Sequence, residues 1–169
     1  KLESLLSLND KNAEAYYNRG WLYEYKGDLP RAVQDYSKAI ELDKKMKDAY
    51  YNRGLALARM KKFEEALKDL SEAVKMEPAS TDAICNRGSL HFQMGRLDLA
   101  LADYETGLKI NPNDADLRYN RALALRLTPR PSAAAPATPE PAIPAAGPLS
   151  GHVLLAGYGP GTKNVNRGN

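Results

Sequence analysis

The chain has 169 residues, 24 Lys or Arg against 21 Asp or Glu, and a formal net charge of +3. That balance is too even for a nucleic-acid footprint, and no apolar run approaches the ~20 residues that a membrane-spanning helix needs. The sole cysteine, Cys85, excludes an intramolecular disulfide, which fits an intracellular, cytoplasmic setting.

Residues 1–12 open on Leu2, Leu5, Leu6 and Leu8, a helical apolar spacing, and close on the turn Asn9-Asp10-Lys11-Asn12. They read as the remnant of a preceding unit's second helix and its turn, so neighbouring repeats or domains of a longer parent chain are expected. The first full unit spans 13–46. Its first helix breaks at Gly27-Asp28, where Asp28 suits an N-cap and Pro30 falls in the first turn of the second helix. The second unit, 47–80, ends at Glu77-Pro78, and the third, 81–114, at Asn111-Pro112. Proline there stops a helix and fixes the following turn. Lys44 stands in that place in the first unit, so its second helix is expected to run further. Residues 115–128 supply only the first helix of a fourth unit. Residues 129–169 hold eight Pro, eight Ala and six Gly, a composition expected to stay disordered, partly as polyproline II.

One motif recurs through this order. Tyr16-Tyr17-Asn18-Arg19-Gly20 returns as Tyr50-Tyr51-Asn52-Arg53-Gly54, Ile84-Cys85-Asn86-Arg87-Gly88 and Arg118-Tyr119-Asn120-Arg121-Ala122, with a step of 34 residues each time. A fixed step without insertion marks a stacked repeat array. Small residues recur at Gly20, Gly54, Gly88 and Ala122, at Ala32, Ala66 and Ala100, and at Ala39, Ala73 and Gly107. Large ones recur at Tyr36, Leu70 and Tyr104. Folding each hairpin sets Gly20 against Tyr36, which lets the helices approach closely.

These columns and the closing prolines resemble the tetratricopeptide repeat family over residues 13–127. The resemblance implies an all-α chain: a right-handed α-solenoid of helix-turn-helix repeats, here followed by a disordered C-terminal tail.

Two columns carry more than packing. Arg19, Arg53, Arg87 and Arg121 stand level with Asp35, Asp69 and Asp103, where the family usually has an apolar residue in the Arg column. They read as ion pairs that fix hairpin register, against the alternative of a solvated charge column. The second set lies on the other stripe of the first helices, the stripe that in this family lines a concave groove. It holds Glu14, Tyr17, Asn18 and Trp21; Asp48, Tyr51, Asn52 and Leu55; Asp82 and Asn86; and Asp116, Tyr119 and Asn120.

A primary amide donates and accepts, which matches a peptide backbone. The column is similar to the asparagine ladder with which O-linked N-acetylglucosamine transferase grips extended polypeptide. The alternative is that these amides cap local backbone or bond the next unit.

The reading is a protein-protein interaction scaffold that binds a protein or peptide ligand in extended conformation in the groove. Rival readings are a non-catalytic targeting arm of a larger enzyme and a chaperone-tail carboxylate clamp. The clamp needs Lys and Arg on the first helices, where this stripe offers Tyr, Asn and acids.

No enzyme chemistry assembles from the sequence. Gly157-Tyr158-Gly159-Pro160-Gly161-Thr162-Lys163 lacks the Gly-Lys-Ser/Thr order of a phosphate loop. His91 shares the column of Tyr23 and Leu57 and reads as an interior residue; His152 lies in the tail. Two separated histidines and one cysteine build neither a metal cluster nor a triad. No catalytic residue, cofactor or metal is therefore expected, nor nucleic-acid binding or membrane insertion.

Overall fold

The computed structural model describes residues 12–128. The expectations of a remnant helix before residue 12 and of a disordered tail after residue 128 lie outside the described residues. Seven α-helices follow one another there: α1 Ala13–Tyr25, α2 Leu29–Leu42, α3 Lys47–Arg59, α4 Phe63–Met76, α5 Thr81–Gln93, α6 Leu97–Ile110 and α7 Ala115–Leu127. They form a right-handed α-solenoid of antiparallel helix pairs.

Local chemistry sets the boundaries. The side chains of Asn12, Asp28, Ser80 and Asp114 accept from the backbone N–H three residues on, capping α1, α2, α5 and α7. The turns inside the three hairpins are superposable in sequence: Gly27, Lys61 and Gly95, spaced 34 apart, all adopt positive φ. The second helices end at Leu42, Met76 and Ile110, the same column in each unit. Thus α2 does not run on past its neighbours, despite Lys44. Asp43 closes it instead: its carbonyl accepts from Met46 N–H at 3.2 Å and its carboxylate from Lys45 N–H at 2.9 Å, a local turn that needs no proline.

Within each hairpin the close approach expected from the small residues is present. A methyl on Gly20 would lie 2.9 Å from the Tyr36 ring, one on Gly54 3.1 Å from Leu70 Cγ, and one on Gly88 2.7 Å from the Tyr104 ring. Tyr36, Leu70 and Tyr104 are fully buried as a result, each worth roughly 2–3 kcal/mol of hydrophobic burial.

The Arg–Asp column is a set of ion pairs. Arg19 Nε and Nη2 bond Asp35 at 2.6 and 2.7 Å, Arg53 bonds Asp69 at 2.6 and 2.8 Å, and Arg87 bonds Asp103 at 2.9 and 2.5 Å. Each is a two-pronged contact between the helices of one hairpin, with the aspartate buried.

No hairpin closes a core alone. Ala39 and Ile40 of the first unit pack with Ala49 of the second. Leu55, Leu57 and Leu70 of the second enclose Leu90 of the third. Cys85 and Tyr104 of the third pack with Leu117 and Ala124 of α7. The core therefore sits at the junctions, and stacking is part of folding. The backbones of consecutive first helices (α1, α3, α5, α7) approach one another more closely than those of consecutive second helices. The side of the row on which the first helices approach one another is here called the inner face.

Candidate functional site

The inner-face stripe differs from one end of the row to the other. On α1, Glu14 and Asn18 are exposed and Tyr17 is half-buried. Trp21 and Tyr25 are 46% and 72% exposed, their rings stacked 6.0 Å apart with planes 19° from parallel. On α3, Asp48, Tyr51 and Asn52 are half-buried and Leu55 is buried. On α5, Asp82 is exposed while Cys85, Asn86 and Ser89 are buried; on α7, Asp116 and Tyr119 are exposed and Asn120 is buried.

The asparagines are built into the stack. Asn52 Nδ2 donates to the Tyr17 hydroxyl at 2.8 Å, and Asn86 Nδ2 donates to the Tyr51 hydroxyl at 2.9 Å. Where the third unit has Cys85 in place of tyrosine, Asn120 Nδ2 lies 3.6 Å from Cys85 Sγ and 3.4 Å from Ser89 Oγ. Every bond crosses from one first helix to the one before it. Asn86, Asn120 and Leu55 therefore offer no open surface to a ligand in this structure, in contrast to the expectation that they face the groove. The reason is the contact between first helices: their shared boundary falls on this column, and a polar group there needs a buried partner.

Ser89, on the same stripe of α5, shares the junction with Asn120. In the sequence these junctions follow a step of 35 rather than 34, which links Tyr17 to Asn52, Tyr51 to Asn86 and Cys85 to Asn120.

The electrostatics of the stripe are acidic. Although Asp82 is exposed, partial desolvation by its surroundings pushes its carboxyl up, and Asp114 and Asp116 push it further. Burial raises the Tyr51 hydroxyl above its ordinary value, with Asp82 adding to it. The basic residue nearest the aromatic pair in register, Arg59, is engaged by Glu24 at 3.2 Å, and Glu24 also accepts from the Tyr36 hydroxyl at 2.8 Å. Cys85 is buried and free of disulfide bonding. Among the described residues, no group of three or more His, Cys, Asp or Glu could hold a metal ion, and no helix is long and apolar enough to cross a membrane. What this surface presents is an exposed aromatic pair beside carboxylates and amide edges, a chemistry of contact.

Comparison with known proteins agrees with the repeat register. No curated protein matches the chain significantly. Among solved structures, a crystal structure of MamA is 25% identical with a TM-score of 0.72, covering 74% of this chain and 73% of that one. The first TPR of Spaghetti (RPAP3), solved bound to the HSP90 peptide SRMEEVD, is 28% identical with a TM-score of 0.65, covering 68% of this chain and 90% of that one. The Arabidopsis OM64 TPR domain, at 22% identity and a TM-score of 0.64 over 68% of this chain and 94% of that one, shares the fold. The tetratricopeptide repeat profile matches residues 13–46 and 48–80, and a second TPR repeat profile matches residues 88–126. Four copies of one motif at a constant step, folded as stacked helix pairs and matched across most of residues 13–126, place this chain in the tetratricopeptide repeat family.

Proposed function

We propose that the chain is a protein-interaction scaffold that holds an extended peptide along the inner face of its first helices. The observation that carries this reading is the Trp21–Tyr25 stack. Two large aromatic side chains stand in solvent on the inner face, ordered against each other, and exposed rigid aromatics are the usual anchors of recognition. Asn18 and Glu14 lie on the same stripe, one and two helical turns before Trp21. Successive first helices are spaced roughly 10 Å apart and an extended chain advances about 3.3 Å per residue, so one unit meets about every third ligand residue.

In this reading the exposed or half-exposed members of the stripe do the contacting: Glu14, Tyr17, Asn18 and Trp21, then Asp48, Tyr51 and Asn52, then Asp82, Asp116 and Tyr119. The buried Leu55, Asn86 and Asn120 hold the wall on which they stand. Trp21 and Tyr25 select an apolar or aromatic ligand side chain, and the acids favour Lys or Arg elsewhere in it, an effect weakened by salt. That Spaghetti's first TPR holds a peptide supports the general mode. The carboxylate-clamp reading fits less well, since an acidic ligand would run along Glu14, Asp48, Asp82 and Asp116. A targeting arm of a larger enzyme would use the same surface, with its chemistry elsewhere in the polypeptide.

Trp21 is the sole tryptophan, so the test has a built-in reporter. Peptides selected from an array should shift Trp21 emission saturably, and Asn18→Ala or Tyr25→Ala should weaken binding while leaving the melting temperature within a few degrees. Array hits that bind without any change in Trp21 emission would place the groove elsewhere.

A further inference from the structure

The inner side of α7 is stacked, but among the described residues no second helix covers its outer side. Three times in this chain a first helix is covered by a second helix in one geometry. A small residue, an aspartate three positions on and a large residue one position further come down on the first helix: Ala32, Asp35 and Tyr36 on α1, Ala66, Asp69 and Leu70 on α3, Ala100, Asp103 and Tyr104 on α5. The first-helix columns that receive them, those of Arg87, Gly88 and His91, continue on α7 as Arg121, Ala122 and Leu125. Leu125 is 45% exposed where its counterpart Leu57 is 3%. Arg121 has a single long contact, 3.5 Å to the exposed Glu105 of the preceding helix, where its three counterparts each grip an aspartate with two nitrogens.

The sequence does not continue the repeat into a fourth second helix. The register of a fourth second helix falls on residues 131–144, which contain Pro131, Pro136, Pro139, Pro141 and Pro144, residues that an α-helix interior does not accommodate. In that register Ala137 takes the aspartate's place and Thr138 that of the large residue.

We propose that the outer face of α7 is an interaction surface for an amphipathic helix of another polypeptide, one carrying Ala-x-x-Asp-Leu in the manner of a second helix and completing the fourth repeat in trans. Arg121 specifies the aspartate, as a guanidinium offers a carboxylate two parallel hydrogen bonds. Ala122 specifies the residue after it. Gly20 and Gly88 face tyrosine rings that leave no room for a methyl, at 2.9 and 2.7 Å, whereas Gly54 faces Leu70, whose side chain would lie 3.1 Å from one. Ala122 carries that methyl, so the face takes a flexible leucine and rejects tyrosine. This surface is distinct from the inner face and does not depend on the groove reading.

The test uses the full chain and a fluorescein-labelled synthetic peptide with the sequence of residues 62–77, which holds Ala66, Asp69 and Leu70. Anisotropy should show saturable binding of about 10–100 μM, weak because a short helix must order as it binds. D69N in the peptide and Arg121→Ala in the protein should each weaken binding about tenfold, the loss of one charged hydrogen-bonded pair, and together cost little more than either alone. L70Y in the peptide should bind poorly to the native chain and recover on Ala122→Gly. The proposal is overturned by no saturable binding up to about 1 mM, or by binding indifferent to Arg121→Ala. It is equally overturned if the peptide binds only after Leu154→Asp, which would mean that the chain's own tail covers the face. Competition by concentration-dependent self-association would assign it to a second copy, with the same consequence.

Discussion

Asn52 gives its side-chain amide to the hydroxyl of Tyr17, 2.8 Å away and one first helix back along the row. The contact repeats between Asn86 and Tyr51, so one polar pair per junction ties consecutive repeats together. A hydrogen bond of this kind aligns units as well as stabilising them, because only one register brings amide and phenol into line.

The asparagines should therefore matter to folding according to position. Asn86→Ala should lower stability by about 1–3 kcal/mol, since it strips a buried hydroxyl of its partner. Asn18 is exposed on α1, and Asn18→Ala should stay within about 0.5 kcal/mol. Urea unfolding of both variants checks this; equal small effects would mean that the ladder adds nothing to stacking.

The Arg–Asp pairs should behave as coupled units. Asp69 is buried and Arg53 mostly so, and the Asp69 hydrogen bonds hold the guanidinium's pKa above its already high ordinary value. Removing either partner should cost about 3 kcal/mol, because a buried charge is left behind, and removing both should cost less than the sum. A double-mutant cycle of Arg53→Ala and Asp69→Ala gives the coupling directly; strict additivity would contradict the geometry.

How far the sequence carried the fold is visible in these two columns. Arg and Asp fall level across a hairpin whose turn is marked by Gly27-Asp28, so their meeting follows from local register alone. The Asn–Tyr pair spans two hairpins, and its geometry depends on how closely α1, α3, α5 and α7 pack side by side. A repeat of 34 says that units stack, yet it is silent on which face of each helix the neighbour covers. Asn was therefore legible as a repeated position, while its bond to the neighbouring unit was only one of two readings the sequence allowed. Trp21 and Tyr25 have the opposite history: their neighbours' columns hold Leu55 and Arg59, so their exposure appears only once α1 has its place in the row.

Lys61 is a local misfit that sequence alone does not reveal. It occupies the column of Gly27 and Gly95 with φ 61°, a left-handed conformation that costs a side-chain-bearing residue about 1–2 kcal/mol. Glycine's larger unfolded-state entropy offsets part of the gain. Lys61→Gly should raise stability by roughly 0.5–1 kcal/mol, read as a shift of the urea midpoint at constant slope.

His91 should make the fold sensitive to mild acid. Burial holds its imidazole below the ordinary value; Asp103 and Glu64 oppose this, while Arg87 and Arg96 reinforce it. Its buried Nδ1 meets no hydrogen-bond partner among the described residues. In the unfolded chain the ring protonates near pH 6.5, in the folded chain only at lower pH. Between the two the unfolded state binds more protons, so stability falls as pH drops below about 6.5 and levels off beneath the folded value. His91→Leu, matching Leu57 in the preceding unit, should remove that slope and gain more at pH 5 than at pH 8. A slope that persists in the variant would belong to other groups.

The hairpin glycines should differ in what they tolerate, and the facing residue decides it. In each case Ala would gain about 1 kcal/mol of helix propensity over Gly. Against that, a methyl on Gly88 would lie 2.7 Å from Tyr104 Cε1, and the ring is fully buried with its hydroxyl near Ser89 at 3.4 Å, so it has nowhere to turn. Overpacking of this kind costs about 1–3 kcal/mol. On Gly54 the methyl would meet Leu70 Cγ at 3.1 Å and the Ala66 carbonyl at 3.3 Å, tight contacts that a shift of a few tenths of an ångström relieves. Gly88→Ala should therefore destabilise by roughly 1–2 kcal/mol net, and Gly54→Ala should come out near zero. Tyr104→Leu introduced beside Gly88→Ala should recover part of the methyl's cost, measured against Tyr104→Leu alone. If the two alanine variants proved equally destabilised, the backbone approach of the helices, and not the facing side chain, would be setting the limit.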